Sequence, residues 1–142
     1  GGGVLLRHLR PLEGRADAPR PQQPIEERAD VPFDIRRVFF LYDVPGGAAR
    51  GGHAHRSLQE VVIAVSGSFD VVVEDGTARA RYTLNRAYYG LYLPPMVWLN
   101  LENFSSNSVA LALCSQPFDE ADYYRDREAF LHVSRAATRS AP

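Results

Sequence analysis

From residue 35 to about residue 115, every apolar run in this chain is short and closed by turn residues. That pattern leaves room for strands but not for the crossover helices of a parallel sheet. Residues 35–44, 60–65, 69–73, 78–84, 90–93, 97–101 and 109–113 are rich in β-branched and aromatic side chains. With the segment around His53 they make about eight strands. Asp75-Gly76 is a hairpin signal, and Ser66-Gly67 marks another turn. Strands this short and this close predict an all-β antiparallel sandwich or barrel. The C-terminal part differs. Residues 119–133 carry Tyr123, Tyr124, Arg127, Phe130 and Leu131 behind an acidic first turn, which predicts one amphipathic helix near residues 120–132.

Length and charge narrow what the fold can be for. A chain of 142 residues is one domain, with enough length for a single core. Its net charge of −1 provides no basic field for nucleic acid or a membrane surface. All 16 basic residues are arginine. Lysine Schiff-base chemistry is therefore excluded, and anions must be met by guanidinium groups, which favour bidentate contact with phosphate. The single cysteine, Cys114, closes an apolar run and reads as a buried, inert thiol. No run approaches the roughly 20 apolar residues of a membrane span, and no signal peptide is visible, so a cytoplasmic protein is expected.

Residues 1–34 read as an N-terminal arm. Pro11, Pro19, Pro21, Pro24 and Pro32 exclude a long helix there. A short strand is expected at Val4-Leu5-Leu6, and residues 24–31 suit an extended path along a partner. Residues 35–133 then form the barrel with its helix, and residues 134–142 a frayed tail.

The chemistry concentrates between Gly47 and Gly67. Arg50-Gly51-Gly52-His53-Ala54-His55 precedes Glu60, and two histidines one residue apart on a strand share a face. Five residues separate Gly47 from His53, four separate His55 from Glu60, and six separate Glu60 from Gly67. Three readings are open. His53, His55 and Glu60 form a facial two-histidine, one-carboxylate set suited to iron(II), manganese or zinc. Alternatively the imidazoles move protons without a metal, because histidine titrates near neutrality. In the third, both are hydrogen-bonded structural groups in a polar barrel mouth.

This spacing is similar to the first signature motif of the cupin superfamily, small antiparallel jelly-roll barrels with their chemistry inside. Metal-binding cupins usually add a histidine near a Pro-rich turn. Here that turn is Leu93-Pro94-Pro95-Met96-Val97-Trp98-Leu99-Asn100, which has none. A narrower resemblance covers about residues 31–131. Val31-Pro32-Phe33-Asp34-Ile35-Arg36-Arg37-Val38-Phe39-Phe40 looks like the opening of the nucleotide-sugar 3,4-ketoisomerases. So do the histidine motif, Ala64-Val65-Ser66-Gly67-Ser68, the segment from Gly90 to Trp98, and Phe118-Asp119-Glu120-Ala121-Asp122-Tyr123-Tyr124-Arg125.

The resemblance implies a cupin-type barrel and a metal-independent isomerase acting on a thymidine-diphosphate 4-keto-6-deoxyhexose, with no cofactor. It implies His53 as the base at C3 and His55 as the group that relays protons around O3, O4 and C4. Arg50, Glu60, Arg37, Phe39, Trp98 and Tyr92 are the expected substrate-binding residues. Tyr88 and Phe104 are further candidates for a thymine slot, and Arg79 and Arg86 for the phosphates. A homodimer that exchanges N-terminal strands is also implied. The chain departs from the family in having Phe39-Phe40 where a tyrosine is common, Glu60 for a common glutamine, and Leu99 for a polar ring or guanidinium.

Overall fold

The computed structural model describes residues 9–11 and 31–140, and the expected strand at Val4-Leu5-Leu6 lies outside them. Strands β1 (Leu9–Pro11), β2 (Arg37–Leu41), β3 (Arg50–His55), β4 (Glu60–Ser66) and β5 (Phe69–Glu74) come first. Then follow β6 (Arg79–Leu84), β7 (Tyr89–Leu93), β8 (Trp98–Glu102), β9 (Val109–Cys114), β10 (Tyr123–Tyr124) and helix α1 (Arg127–Ser140). Among the described residues these form two five-stranded antiparallel sheets, ordered β1-β7-β4-β9-β2 and β10-β3-β8-β5-β6. The expectation of an all-β barrel with one C-terminal helix holds.

Strand alternation sorts the side chains. Inward residues of both sheets, among them Val62, Phe69, Val71, Val73, Leu84, Leu91 and Leu99, form the main core. Outward residues of the first sheet, Val61, Ile63 and Leu113, are covered by Val31 and Phe33. Both belong to the segment read as the arm, and they are 0% and 5% exposed against this outer face. The β5–β6 hairpin turns at Gly76, with φ of 95°, while Asp75 Oδ1 accepts from the Thr77 and Ala78 amides.

The helix is displaced from its expected position. Residues 120–122 form a 3-10 turn capped by the Asp119 side chain, and Tyr123–Tyr124 pair with His55 and Ala54 as a strand. Helix α1 begins only at Arg127, with Asp126 accepting from the Ala129 amide, and runs through residues expected as a frayed tail. Tyr123 fits a helical spacing with Arg127, Phe130 and Leu131, but the edge of β3 offers the two tyrosines ladder bonds that a helix end does not. Phe130 then seats α1 against Trp98, Ala54 and Tyr124 on the outside of the second sheet. Ser134 donates to the Asp75 carbonyl at 2.6 Å and anchors the far end.

Candidate active site

A cavity of about 300 Å³ opens between the sheets. Arg37, Phe39 and Leu41 of β2 face Arg50, Gly51 and His53 of β3 across it, with Tyr123 and Arg125 lining it as well. Glu60 and Val62 of β4, Leu99 and Leu101 of β8, and Ala110 and Ala112 of β9 complete the lining. The two alanines leave unfilled the space that larger barrel residues would occupy.

Gly51 and Gly52 aim the histidine strand. The β3–β8 register slips between Gly51 and His53, and both glycines have positive φ, 103° and 72°. A Cβ on Gly51 would meet the Leu99 carbonyl at 3.1 Å. This bulge bends β3 so that His53 sits opposite Leu99, facing inward. His55, two residues on, shares that side but stands behind, at 6% exposure. The imidazoles meet edge to face with centroids 4.9 Å apart, and His55 is not among the residues lining the cavity.

Electrostatics make these neutral bases. Burial first, then His55 and Arg125, hold the His53 pKa down to about 4, against a hydrogen bond with the Gly51 backbone. Burial also holds His55 down to about 4, with Arg37 and Arg125 lowering it and Asp122 raising it. Glu60 is shifted the other way. Its burial pushes the pKa up to about 7, with Arg37 opposing, and its Oε2 has no hydrogen-bond partner among the described residues. Cys114, paired with Glu60 across β4 and β9, is pushed up to about 12 by burial and is inert as a thiol.

One nitrogen from each histidine and a Glu60 oxygen lie within 4.8 Å of one another, close enough to be a metal set. Two guanidinium groups bias the same space. Arg37 and Arg125 both oppose positive charge on His55, and they would oppose a metal cation in the same way. The field favours an anion.

The structure gathers five expected residues, Arg37, Phe39, Arg50, His53 and Glu60, around one cavity. Arg37 lies 4.6 Å over the Phe39 ring, and Arg50 is exposed at the start of β3. Trp98 and Tyr92 are placed elsewhere, because strand alternation turns each outward. Trp98 packs under Phe130, and Tyr92 packs near Phe33 and donates to Gln59 Oε1 at 2.8 Å. Phe104 stacks on Phe69 in the core, and Arg86 pairs with Tyr88 away from the cavity. Three contributors escaped the sequence reading: Tyr123, Arg125 and Asp122. Tyr123 lies 4.4 Å from the His55 ring and 5.2 Å from His53, with Arg125 over its face at 4.2 Å. The signal available for them was the run of acid, two tyrosines and arginine, which helical spacing explained equally well.

A two-sheet antiparallel barrel with an imidazole pair at an internal cavity is the architecture of a cupin-type protein. Residues 11–135 match the family described as FdtA, WxcM-like, C-terminal. The chain is 40% identical over 100 residues to the TDP-4-oxo-6-deoxy-alpha-D-glucose-3,4-oxoisomerase of Aneurinibacillus thermoaerophilus, covering 70% of this chain and 72% of that protein. It superposes on the sugar 3,4-ketoisomerase QdtA of Thermoanaerobacterium thermosaccharolyticum, solved with TDP, at a TM-score of 0.84 and 30% identity. That match covers 93% of this chain and 98% of the other. The TDP-quinovose 3,4-ketoisomerase WlaRB of Campylobacter jejuni matches at 0.78 and 35% identity, covering 89% and 98%. The chain belongs to this sugar 3,4-ketoisomerase family.

Proposed function

We propose that the protein moves the ketone of a thymidine-diphosphate-linked 4-keto-6-deoxyhexose from C4 to C3, with His53 as the base. The observation that carries this reading is a neutral imidazole on the wall of a cavity whose cations favour an anion. The balance of the reaction is internal. His53 takes the proton from C3, the C3–H electrons form the C3–C4 double bond, and O4 takes the carbonyl pair and a proton. The intermediate then loses the O3 proton as C3 becomes the ketone, and C4 receives a proton from the site. No oxidant or reductant enters.

Two features suit this cavity to that sequence. A proton α to a ketone becomes removable when the enediolate is stabilised, and Arg37 and Arg125 supply positive charge close to where it forms. The growing negative charge also raises the proton affinity of His53, so a base that rests neutral strengthens as it is needed. Arg50 and Arg37 are the proposed contacts to the nucleotide phosphates, while Phe39 and Glu60 shape the sugar pocket. His55 touches His53 rather than the cavity, so its proposed relay of protons passes through its neighbour.

The relatives support the substrate class: one is named for a TDP-4-oxo sugar, and a QdtA variant was solved with TDP-4-keto-6-deoxyglucose. We also propose a homodimer. Val38 and Phe40 face outward from β2, half exposed, on the last strand of its sheet among the described residues. Among those residues, no helix is long and apolar enough to cross a membrane, and the proposed setting is cytoplasmic.

The deciding experiment incubates the protein with the 4-keto nucleotide sugar in deuterated water. A 3-keto product carrying deuterium at C4 is expected. Binding of the nucleotide sugar without exchange at C3 or C4 would replace the isomerase with a binding module.

A further inference from the structure

Behind the cavity wall, His55 meets a carboxylate, Asp122, to which the reaction above gives no part. His55 and Asp122 have side chains only 7% exposed, and His55 Nδ1 lies 3.6 Å from Asp122 Oδ2. That nitrogen has no hydrogen-bond partner among the described residues. Asp122 is held from its other side. Its Oδ1 accepts from the Ser57 amide at 3.0 Å and the Ser57 hydroxyl at 2.6 Å, and its Oδ2 from the Leu58 amide at 3.1 Å. Three donors from the turn after β3 thus fix the carboxylate in the place where it meets the imidazole.

We infer that Asp122 is a positioning residue, which selects the His55 tautomer with its proton on Nδ1 and leaves Nε2 as the acceptor. This rests on the reading of the site as one that transfers protons. In the opposite tautomer, the Nδ1 lone pair would face a carboxylate oxygen across 3.6 Å of buried space, and the two would repel. The distance is just beyond hydrogen-bond length, and contacts of this kind commonly close when ligand fills a site. Burial weighs most against a charged imidazole at His55, and the charged groups around the pair act on top of it. Arg37 and Arg125 both work against a proton on His55, while Asp122 works for one. With burial the largest influence, the pair is a neutral imidazole beside a carboxylate rather than an ion pair. The tautomer then has consequences at the cavity, because His55 is the ring against which His53 packs. An acceptor at Nε2 gives the relay a place to put a proton, and an Nε2–H would block it.

Asp122 also joins parts of the sequence that lie far apart. It immediately precedes Tyr123, so fixing its carboxylate on Ser57 and Leu58 brings the Tyr123 ring against His55. A purely structural clamp would show the same hydrogen bonds, so the test must read something a clamp does not move.

The first measurement needs no variant. Nitrogen-15 NMR of the histidine side chains in the whole wild-type chain should show His55 as the Nδ1–H tautomer near neutral pH. An Nε2–H signal at His55 overturns the inference. The second measurement is kinetic. Asp122→Asn should lower kcat by about 10²-fold or more with little change in KM. In a His55→Asn background the same change should cost almost nothing further, because Asp122 acts through His55. Ser57→Ala removes part of the clamp but keeps the carboxylate, and should leave kcat within about threefold of wild type. Additive losses in the double variant, or a Ser57→Ala loss equal to that of Asp122→Asn, would make Asp122 a clamp alone. Absence of turnover in the wild-type protein would sink the isomerase reading instead, and the tautomer measurement would still decide the inference.

Discussion

Tyr123 stands directly across the β10–β3 ladder from His55, and the two rings meet edge to face with centroids 4.4 Å apart. The same ring touches His53 and carries the Arg125 guanidinium over its face. One side chain therefore sets the positions of both imidazoles and of a cavity cation. Tyr123→Ala should lower kcat by about 10²-fold, the scale of loss from a small misplacement of catalytic groups. Tyr123→Phe keeps the ring and should recover most of that loss in a ketoisomerase assay. A Phe variant as poor as the Ala variant would assign the effect to the hydroxyl.

Among the described residues, His53 is the only imidazole lining the cavity. His53→Asn preserves size and polarity but removes the base, so deuterium uptake from deuterated water should fall by about 10²–10⁴-fold. Nucleotide affinity, measured by calorimetry, should hardly change. Full exchange in this variant would move the base elsewhere.

Phe39 and Phe40 part company in the fold. Phe39 lines the cavity beneath Arg37, while Phe40 is 54% exposed on the outer face. A phenol at position 39 would restore a hydrogen-bond donor near the reacting oxygens. Phe39→Tyr should raise kcat by about tenfold or more, and Phe40→Tyr should leave it unchanged. Equal, null results for the two would show that a hydroxyl on this wall is not needed.

Glu60 should leave a signature in stability against pH. Its folded pKa of about 7 lies above its ordinary 4.5, so the folded chain holds that proton more tightly. The stability it contributes is complete below about pH 4.5 and lost as pH rises through about 7. His53 and His55, lowered from 6.5 to about 4, run oppositely: their contribution is complete above 6.5 and lost as pH falls toward 4. Glu60→Gln removes only the first effect. Its stability gain over wild type should therefore grow between about pH 5 and pH 8, by on the order of 3 kcal/mol. A gap in denaturant midpoint that stays constant over that range would mean that Glu60 titrates normally.

Helix α1 holds the outer side of the histidine strand through Phe130, which is fully buried against Trp98 and Tyr124. Phe130→Ala should cost about 3–5 kcal/mol in denaturant unfolding. Because Tyr124 continues into Tyr123, kcat should fall as well. A loss below about 1 kcal/mol would mean that the helix is loosely docked.

The strands were legible because they are local. Short β-branched runs between turns define β2 to β9 with small errors at their ends, and two histidines at i and i+2 must share a face whatever surrounds them. The motif spacing around them carried the family and fold. Local pattern could not choose between helix and strand for Tyr123 and Tyr124, because both satisfy it, and pairing with the free edge of β3 decided the matter. Nor could it say which aromatic residues face the cavity. Trp98 and Leu99 are neighbours in sequence, yet the pleat turns one under the helix and the other into the site. The depth of His55 behind His53 and its meeting with Asp122 depend on the Gly51–Gly52 bulge and on a turn some 65 residues away. The residue types that permit this chemistry are thus written along the chain. Which of them are dry, neutral and in contact is a property of packing, because burial and charge are summed over neighbours that only the folded barrel brings together.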